Sequence, residues 1–327
     1  MSSDSRADKE RQRYRDRALG CMVGLAAGDA LGDLGRKDEY RQRYGIVTNL
    51  YDGAGSTDDT EFALLTARAL IDCKGNLTTG DVVGAWCKYV LEQGGVLARG
   101  GRPQYGAAAN LKRGLRPPLS GRDNVGYDDD GAAMRVAPIG IVCAGDPARA
   151  ARLAAIDAQV SHYADGIWAA QAVAASVAEA MTGASPDAVL TVGRAQIPED
   201  SWLGRAMQRA MSICDEAETI EGAWERLHTE LWTPSHSTCA EAIPQAYAIF
   251  RLTRGDFRRG MFWAANFGRD ADTISAIVGA FCGARQGIGV IPDDWVGAVR
   301  KPSGVCLRFA AEEDVVAVAE ALAQLIA

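Results

Sequence analysis

The chain has 327 residues and a formal net charge of −7, with 48% apolar and 24% charged residues. This is the composition of a globular protein that is long enough for one large domain or two medium ones. A protein that binds nucleic acid by neutralising phosphates is normally basic, so the acidic balance argues against nucleic acid as the main partner. The eight cysteines include no C-x-x-C pair, which argues against a zinc ribbon.

Most of the cysteines lie in apolar runs, where a free thiol behaves as a small hydrophobic group. This usage predicts a reducing, cytoplasmic setting. The first 16 residues are polar and lack the apolar core of a signal peptide. No uncharged apolar run reaches the roughly 18 residues of a spanning helix, so no membrane partner is expected. The oligomeric state stays open.

The charged residues 1–12 predict a flexible tail, and residues 13–32 predict a helix. Glycine recurs at every fourth position of this helix, at Gly20, Gly24, Gly28 and Gly32. Positions four apart share one face of a helix, so another backbone is expected to pack very close to this face. Asp29 and Asp33 lie near the C-terminal end of the helix, where they could face a site.

Residues 33–55 predict a long connection, after which Ser56 and Thr57 have the residue types of a helix N-cap. Residues 81–93 predict another helix. Residues 94–131 are rich in Gly, Pro, Arg and Asp, which is typical of a functional loop region.

The rest of the chain is dominated by alanine-rich helical patterns. Helices are expected at 147–159, 164–182, 185–195, 203–216, 219–229, 244–251, 256–267 and 273–285, and from about residue 312. Strand signals are sparse, and no strand–helix alternation, internal repeat or linker is found. The sequence therefore predicts one compact all-α domain over residues 13–327.

Two acidic clusters carry the strongest chemical signal. Asp58 and Asp59 lie between hydroxyl residues at a predicted helix start, and Asp270-Ala271-Asp272-Thr273 lies at another. Carboxylate and hydroxyl oxygens are hard ligands that suit magnesium, manganese or calcium better than zinc. The chain has only three histidines, so an imidazole-built centre is hard to assemble.

Each cluster taken alone is more typical of a simple helix cap than of a metal site. Together, the clusters contain more acids than caps can use, and crowded like charges cost free energy unless a cation compensates them. Spacing alone does not bring residues 58 and 270 together.

Five motifs follow one another within residues 17–290: GDALG at 28–32, STDDT at 56–60, GAAMRVAP at 131–138, Ser161-His162 and GRDADT at 268–273. In this order they resemble the ADP-ribosylglycohydrolase family, which includes the dinitrogenase-reductase-activating glycohydrolase. The resemblance implies an all-α fold with two Mg²⁺ or Mn²⁺ ions in a central cleft. It implies metal ligands on two sides of that cleft: Thr57, Asp58, Asp59, Asp270, Asp272 and Thr273. Asp59 and Asp270 are the expected catalytic carboxylates, and the ions would hold the ribose hydroxyls and a water.

The resemblance also implies substrate contacts. The loop Gly131, Ala132, Ala133 and Met134 looks like the cradle of a diphosphate, although it could be a plain turn into a helix. His162 is implied to lie near the substrate, with a purely structural histidine as the alternative. Tyr105 is implied to stack on or hydrogen-bond to the ribose. Arg135 could pair with phosphate, but an internal salt bridge is favoured.

Three positions depart from the family pattern. Arg36 stands where many members have a glutamate, which weakens the case for a serine-linked substrate. Asp128–Asp130 stand where a neutral residue is common. They could be a solvated turn, or they could indicate a less anionic substrate or a cationic group such as a guanidinium. Arg269 replaces a small residue and could pair with phosphate or a carboxylate.

These residues leave three functional hypotheses. The first is a metal-dependent N-glycosidase that removes ADP-ribose from an acceptor, arginine being one candidate, with an ADP-ribosylated protein as partner. The second is the same chemistry on a smaller ribosylated nucleoside or metabolite. The third is a non-catalytic relative that binds ADP-ribose, against which the intact acidic clusters argue.

Overall fold

The computed structural model describes residues 3–326, with side chains described from residue 8 onward. Within that range the chain forms seventeen α-helices and no β-strand, and one isolated antiparallel bridge joins Asp129 to Thr238. The all-α, single-domain prediction is confirmed.

The helix bounds in chain order are α1 Ser3–Arg36, α2 Asp38–Tyr44, α3 Asp58–Asp72, α4 Thr79–Ala85, α5 Arg102–Lys112, α6 Leu119–Arg122, α7 Ala137–Val142, α8 Pro147–Ala158, α9 Asp165–Ala180, α10 Pro186–Arg194, α11 Trp202–Ala217, α12 Ile220–Thr229, α13 Cys239–Leu252, α14 Phe257–Ala265, α15 Ala271–Gln286, α16 Asp293–Val299 and α17 Val315–Ala323. A π-helical turn and a 3₁₀ turn continue α4 to residue 93.

The long periodic segments were predicted well, and the short or exposed ones were missed. The predicted start of α1 at residue 13 was wrong, because helix already begins at Ser3. Whether residues 1–12 move as a flexible tail stays a prediction, and residues 1 and 2 lie outside the described chain. The predicted connection over 33–55 contains α2, which buries no residue and so carries no apolar stripe.

The predicted loop region 94–131 was also partly wrong. It contains α5 and the short α6. Pro103 lies in the first turn of α5, a place where proline is compatible with a helix, so the proline-rich composition concealed a helix start. Helix α16 was missed as well.

The glycine face of α1 packs directly on α15, as predicted. A Cβ atom added at Gly24 would strike the carbonyl of Gly279, and one added at Gly279 would strike the carbonyl of Gly24. Gly20 and Gly283 oppose each other in the same way. Mutual glycines let two backbones approach closer than side chains would allow.

The apolar composition of α1 is explained by this packing. By length and hydropathy α1 could cross a membrane, but its apolar window is entirely buried inside the fold. The contacts run from Gly20 against Gly283 to Gly32 against Ala271, so the two helices are antiparallel. The C-terminal end of α1 therefore lies beside the N-terminus of α15.

Candidate active site

The two acidic clusters meet at one cleft, which the sequence alone could not establish. The cleft has a volume of about 740 Å³, which is the size of an organic-ligand pocket rather than of a bare ion site. Its carboxylates come from α3, from the loop before α7 and from the start of α15: Asp58, Asp59, Asp128, Asp129, Asp130, Asp270 and Asp272. The guanidinium groups of Arg36, Arg99 and Arg102 line the same cleft.

The first turn of α3 is held by Asp29 of α1. Asp29 accepts hydrogen bonds from the backbone N–H of Thr57 at 2.8 Å and of Thr60 at 3.2 Å. It also accepts from both threonine hydroxyls, at 2.6 Å and 2.5 Å. This distant carboxylate therefore satisfies donors that a local cap normally satisfies.

The capping alternative for the two clusters is wrong. Of the two residues with N-cap character, Thr57 and not Ser56 occupies the N-cap position, and α3 begins at Asp58. Neither Thr57 nor Asp270, the N-cap of α15, uses its side chain to cap its helix. The hydroxyl of Ser56 contacts Glu61 instead. The side chains of the aspartates at these helix starts are thus not used for capping and can bind a ligand.

Asp59 has the features of a metal ligand. Its Oδ1 atom is buried and has no hydrogen-bond partner, which is costly for a carboxylate. Asp29, Asp59 and Asp272 each offer an oxygen within 4.8 Å of the other two, and all three are buried. The set is all oxygen and mostly anionic, as Mg²⁺ and Mn²⁺ prefer, so the residues present fit a divalent cation.

The pKa values of these carboxyls are raised in the metal-free protein. Burial raises the pKa of Asp29 to about 7, and burial together with Asp270 raises the pKa of Asp272 to about 6. Burial and neighbouring carboxylates hold the pKa values of Asp58, Asp59 and Asp130 well above their usual range. Crowded buried acids resist ionisation until a cation compensates them.

This electrostatic situation predicts the pH dependence of the metal-free protein. A carboxyl whose pKa is raised by folding stabilises the fold fully below its unfolded value near 4 and loses that contribution as pH rises through the folded value. For Asp29 alone, with a folded pKa of about 7, the loss between pH 6 and pH 8 is about 1.4 kcal/mol.

The measurement is the melting temperature at pH 6 and pH 8, with chelator or with excess Mn²⁺. We expect it to fall with pH under chelator and the gain from Mn²⁺ to be larger at pH 8, because the ion binds the ionised carboxylates. A gain from Mn²⁺ that is equal at both pH values would contradict this account of the site.

Arg36 lies on the second acidic cluster. Its Nη1 atom donates to Asp270 Oδ1 at 3.0 Å and also contacts Asp272 Oδ1. Its Nη2 atom lies 3.2 Å from Nε2 of His236. The residue at the family's glutamate position is therefore inside the cleft and in contact with two predicted metal ligands.

The aspartate run was expected either to be a solvated turn or to face the site, and the solvated turn is wrong. Asp129 and Asp130 are buried, Asp128 is half-buried, and all three line the cleft. The Oδ2 atom of Asp130 is buried without a partner. Asp128–Asp130 thus form an acidic wall on this side of the cleft.

His162 holds the acidic wall from behind. It is completely buried and does not line the cleft. Burial lowers the pKa of His162, so the imidazole is neutral. Its Nε2 atom donates to Asp129 Oδ1 at 2.7 Å, and its Nδ1 atom accepts from the hydroxyl of Ser161 at 2.7 Å. Direct contact between His162 and the substrate stays a prediction, while the observed contacts are those of a positioning residue.

The other predicted substrate residues lie at different depths. Gly131 and Met134 line the cleft, whereas Ala132 and Ala133 are completely buried behind it. Tyr105 is 41% exposed, packs beside Gly100 and does not line the cleft. Thr273 lines the cleft, and Thr57 is buried against Asp29. The roles predicted for these residues remain predictions.

Arg135 forms the internal salt bridge that was favoured for it. Its Nε atom donates to Asp157 Oδ2 at 2.7 Å, and its Nη1 atom donates to the hydroxyl of Ser161 at 3.0 Å. Both charged groups are buried. Arg135 is thus the far end of a chain of hydrogen bonds that runs through Ser161 and His162 to Asp129.

Replacing Arg135 by methionine is expected to cost about 3–5 kcal/mol of unfolding free energy, because Asp157 is left buried and unpaired. Urea unfolding measures the loss. Arg251→Met is the matched control, since its partner Asp215 is largely exposed and the pair is worth at most about 1 kcal/mol. Equal losses in the two variants would refute the structural role of Arg135.

His236 and Trp202 are among the cleft residues that were not selected from the sequence. His236 lies 3.6 Å from Asp270 Oδ1, in a loop whose polar residues gave no periodic signal. Trp202 at the start of α11 also lines the cleft and is 42% exposed, an unusual position for so large an apolar side chain.

The sequence left open whether Arg269 pairs with phosphate or with a carboxylate. In the structure its Nε atom donates to Glu241 Oε1 at 2.5 Å, and its Nη2 atom donates to the carbonyl of Thr233.

The all-helical domain gathers carboxylates from three chain segments into one ligand-sized cleft, an arrangement that can serve acid–base chemistry on a bound organic substrate. The family model for ADP-ribosylglycohydrolase matches residues 10–327. The chain belongs to the ADP-ribosylglycohydrolase family. It is a hydrolase that acts on the glycosidic bond of ADP-ribose.

Two relatives and one solved structure illustrate the similarity. The ADP-ribosyl-[dinitrogen reductase] glycohydrolase of Rhodospirillum rubrum is 28% identical over 86% of this chain and 89% of its own length. The ADP-ribosylarginine hydrolase Tri1 of Pseudomonas putida is 24% identical over 87% of this chain and 74% of its own. A chain of an ADP-ribosylglycohydrolase-related protein complex superimposes with a TM-score of 0.67 and 25% identity, covering 96% of this chain and 99% of that one.

Proposed function

We propose that this protein removes ADP-ribose from ADP-ribosylated arginine side chains in a reaction that requires Mg²⁺ or Mn²⁺. The observation that carries the proposal is a cleft in which a buried carboxylate set, with an oxygen of Asp59 left without a partner, adjoins the acidic wall. The names of the relatives from R. rubrum and P. putida support an ADP-ribosylated protein as partner. The eight free cysteines support a reducing, cytoplasmic setting.

The cation is held in this proposal by Asp59 and Asp272, with Asp29 behind them. Asp58 and Thr273 line the cleft beside these residues, while Thr57 already shares its hydroxyl between Asp29 and Asp59. A bound divalent ion orients ribose hydroxyls and lowers the pKa of a bound water. The family resemblance implies two such ions.

The reaction balances with one water. A carboxylate, Asp59 or Asp270, takes a proton from water as the oxygen attacks the anomeric carbon of the ribose. The bond between that carbon and the guanidine nitrogen breaks, and the proton ends on the leaving guanidine, so that ADP-ribose and arginine are released. The cationic ribosyl transition state is stabilised by the surrounding negative carboxylates.

The acidic wall supports arginine as the acceptor. A guanidinium is always protonated and matches carboxylates in geometry, so Asp128–Asp130 would attract it. The same wall would repel a diphosphate placed against it. Arg102 also lines the cleft, and its positive charge makes it the better partner for phosphate.

A smaller ribosylated nucleoside or metabolite is the second candidate, because a substrate without a diphosphate avoids that repulsion altogether. A substrate panel with Mn²⁺ separates the two. Our proposal expects turnover of ADP-ribosylarginine and of an arginine-modified protein, and little of ribosylated compounds that lack the diphosphate. Turnover confined to the smaller compounds would reverse the assignment, and turnover of none would refute both.

The acceptor role of the acidic wall makes a separate prediction. Asp128→Asn is expected to raise KM for ADP-ribosylarginine roughly 3- to 10-fold, because one charge facing the guanidinium is lost. Affinity for free ADP-ribose should stay unchanged. The control is Asp123→Asn, which alters an exposed aspartate of the same loop outside the cleft. If Asp128→Asn lost affinity for free ADP-ribose by the same factor as it raised KM, the acidic wall would contribute to binding ADP-ribose and not to binding the arginine.

A further inference from the structure

We propose that this protein binds one divalent cation per chain, at Asp59 and Asp272 with Asp29 behind them, and that the guanidinium of Arg36 takes the place of a second cation between Asp270 and Asp272. The inference rests on the proposed metal dependence and deepens it. It assigns Arg36 a role in setting metal stoichiometry.

The first support is the position of Arg36. One nitrogen, Nη1, contacts oxygens of both Asp270 and Asp272. These carboxylates stand two residues apart at the start of α15, and a cationic group that touches both compensates the charge that a metal ion held there would compensate. The side chain of Arg36 is only 27% exposed, and His236 contacts its other terminal nitrogen.

The second support is the contrast between the two ends of the carboxylate cluster. At the other end Asp29, Asp59 and Asp272 converge within 4.8 Å, and Asp59 Oδ1 has no donor. Arg36 contacts this set only at Asp272 Oδ1, and the guanidinium of Arg99 is bonded to Asp33 and stays 3.9 Å from Asp272 Oδ2. Positive charge is therefore built in between Asp270 and Asp272, whereas Asp59 Oδ1 has no partner.

The third support is that the guanidinium of Arg36 stays positively charged. A guanidinium does not lose its proton in proteins, so it repels a metal ion at all working pH values. A second divalent ion would have to displace Arg36 from both carboxylates at once. While Arg36 stays, it holds Asp272, one of the two carboxylates proposed to bind the single ion, which makes Arg36 a positioning residue.

The test counts metal ions on the full-length protein. Metal-stripped wild type, Arg36→Gln and Arg36→Glu are dialysed against excess Mn²⁺, bound manganese per chain is measured, and electron paramagnetic resonance distinguishes a single ion from a coupled pair. We expect one ion in wild type and a second, coupled ion in Arg36→Glu, which adds a carboxylate. Arg36→Gln, which only removes the charge, should bind the second ion more weakly.

Lys37→Gln and Lys37→Glu are the matched controls. Lys37 is the next residue of the chain, pairs with Asp33 and does not line the cleft, so these variants make the same charge changes away from Asp270 and Asp272. They should keep one ion. Circular dichroism and melting curves establish that each variant is folded.

The outcomes separate the two proposals. Two ions in wild type, or one ion in both Arg36 variants, would overturn the inference while leaving metal dependence intact. No bound ion in wild type would instead overturn the proposed function on which the inference rests. A second ion in the Lys37 variants would show that total charge, and not the contacts of Arg36, sets the count.

Discussion

Replacing Asp272 by asparagine is expected to reduce kcat/KM roughly 100- to 1,000-fold while raising the melting temperature of the metal-free protein. Activity falls because an oxygen ligand of the proposed cation is lost. Stability rises because a buried carboxyl, whose pKa is raised by burial and by Asp270, no longer adds charge to a crowded cluster. The measurements are steady-state kinetics with Mn²⁺ and thermal unfolding with chelator.

Asp72→Asn is the matched control. Asp72 ends α3, the helix that carries Asp59, but it is exposed and pairs with Lys88 on the surface. We expect both its activity and its stability to stay close to wild type, since such pairs contribute at most about 1 kcal/mol. If Asp272→Asn lost stability together with activity, Asp272 would be a structural residue rather than a ligand under electrostatic strain.

Gly24→Val is expected to lower the unfolding free energy by roughly 3 kcal/mol or more. The new side chain would overlap the backbone of Gly279, which belongs to the helix that carries Asp270 and Asp272. Backbone cannot rotate away as a flexible side chain can, so α1 and α15 must separate. Chemical denaturation and the metal affinity of the folded fraction measure the effect, and both are expected to fall.

The control for this prediction is Gly84→Ala. Gly84 also lies inside a helix, α4, but a Cβ atom there meets no other atom within 4 Å. Alanine should therefore be neutral or stabilise by up to about 1 kcal/mol through helix propensity. A loss in Gly24→Val no larger than the change in Gly84→Ala would mean that the close approach of α1 and α15 is not needed.

The glycine row shows what a sequence can predict about this fold. Because side chains four apart share a helix face, Gly20 to Gly32 predicted a close helix–helix contact without any knowledge of the partner. The partner itself, α15, was out of reach, since its own glycines at 279 and 283 acquire meaning only when the two helices are aligned. Local periodicity specifies surfaces, whereas tertiary packing decides which surfaces meet.

The candidate site divides in the same way. Asp58, Asp59, Asp270 and Asp272 could be selected as ligand types, and the family resemblance supplied their proximity. The role of Asp29 as the distant cap of α3 could not be predicted, because capping rules are local and this hydrogen bonding spans 28 residues. The inward direction of the acidic wall was likewise undetermined, since aspartates in loops are usually solvated.

The central claim is that hydrolysis of ADP-ribosylarginine depends on a divalent cation at Asp59 and Asp272. The most direct measurement is the release of ADP-ribose from an ADP-ribosylarginine peptide by metal-stripped protein, as Mn²⁺ or Mg²⁺ is titrated in. The account predicts no release under chelator, recovery that saturates with the ion, and a recovered activity in Asp272→Asn that is roughly 100- to 1,000-fold below wild type. Full release under chelator, or recovery in Asp272→Asn equal to wild type, would contradict it.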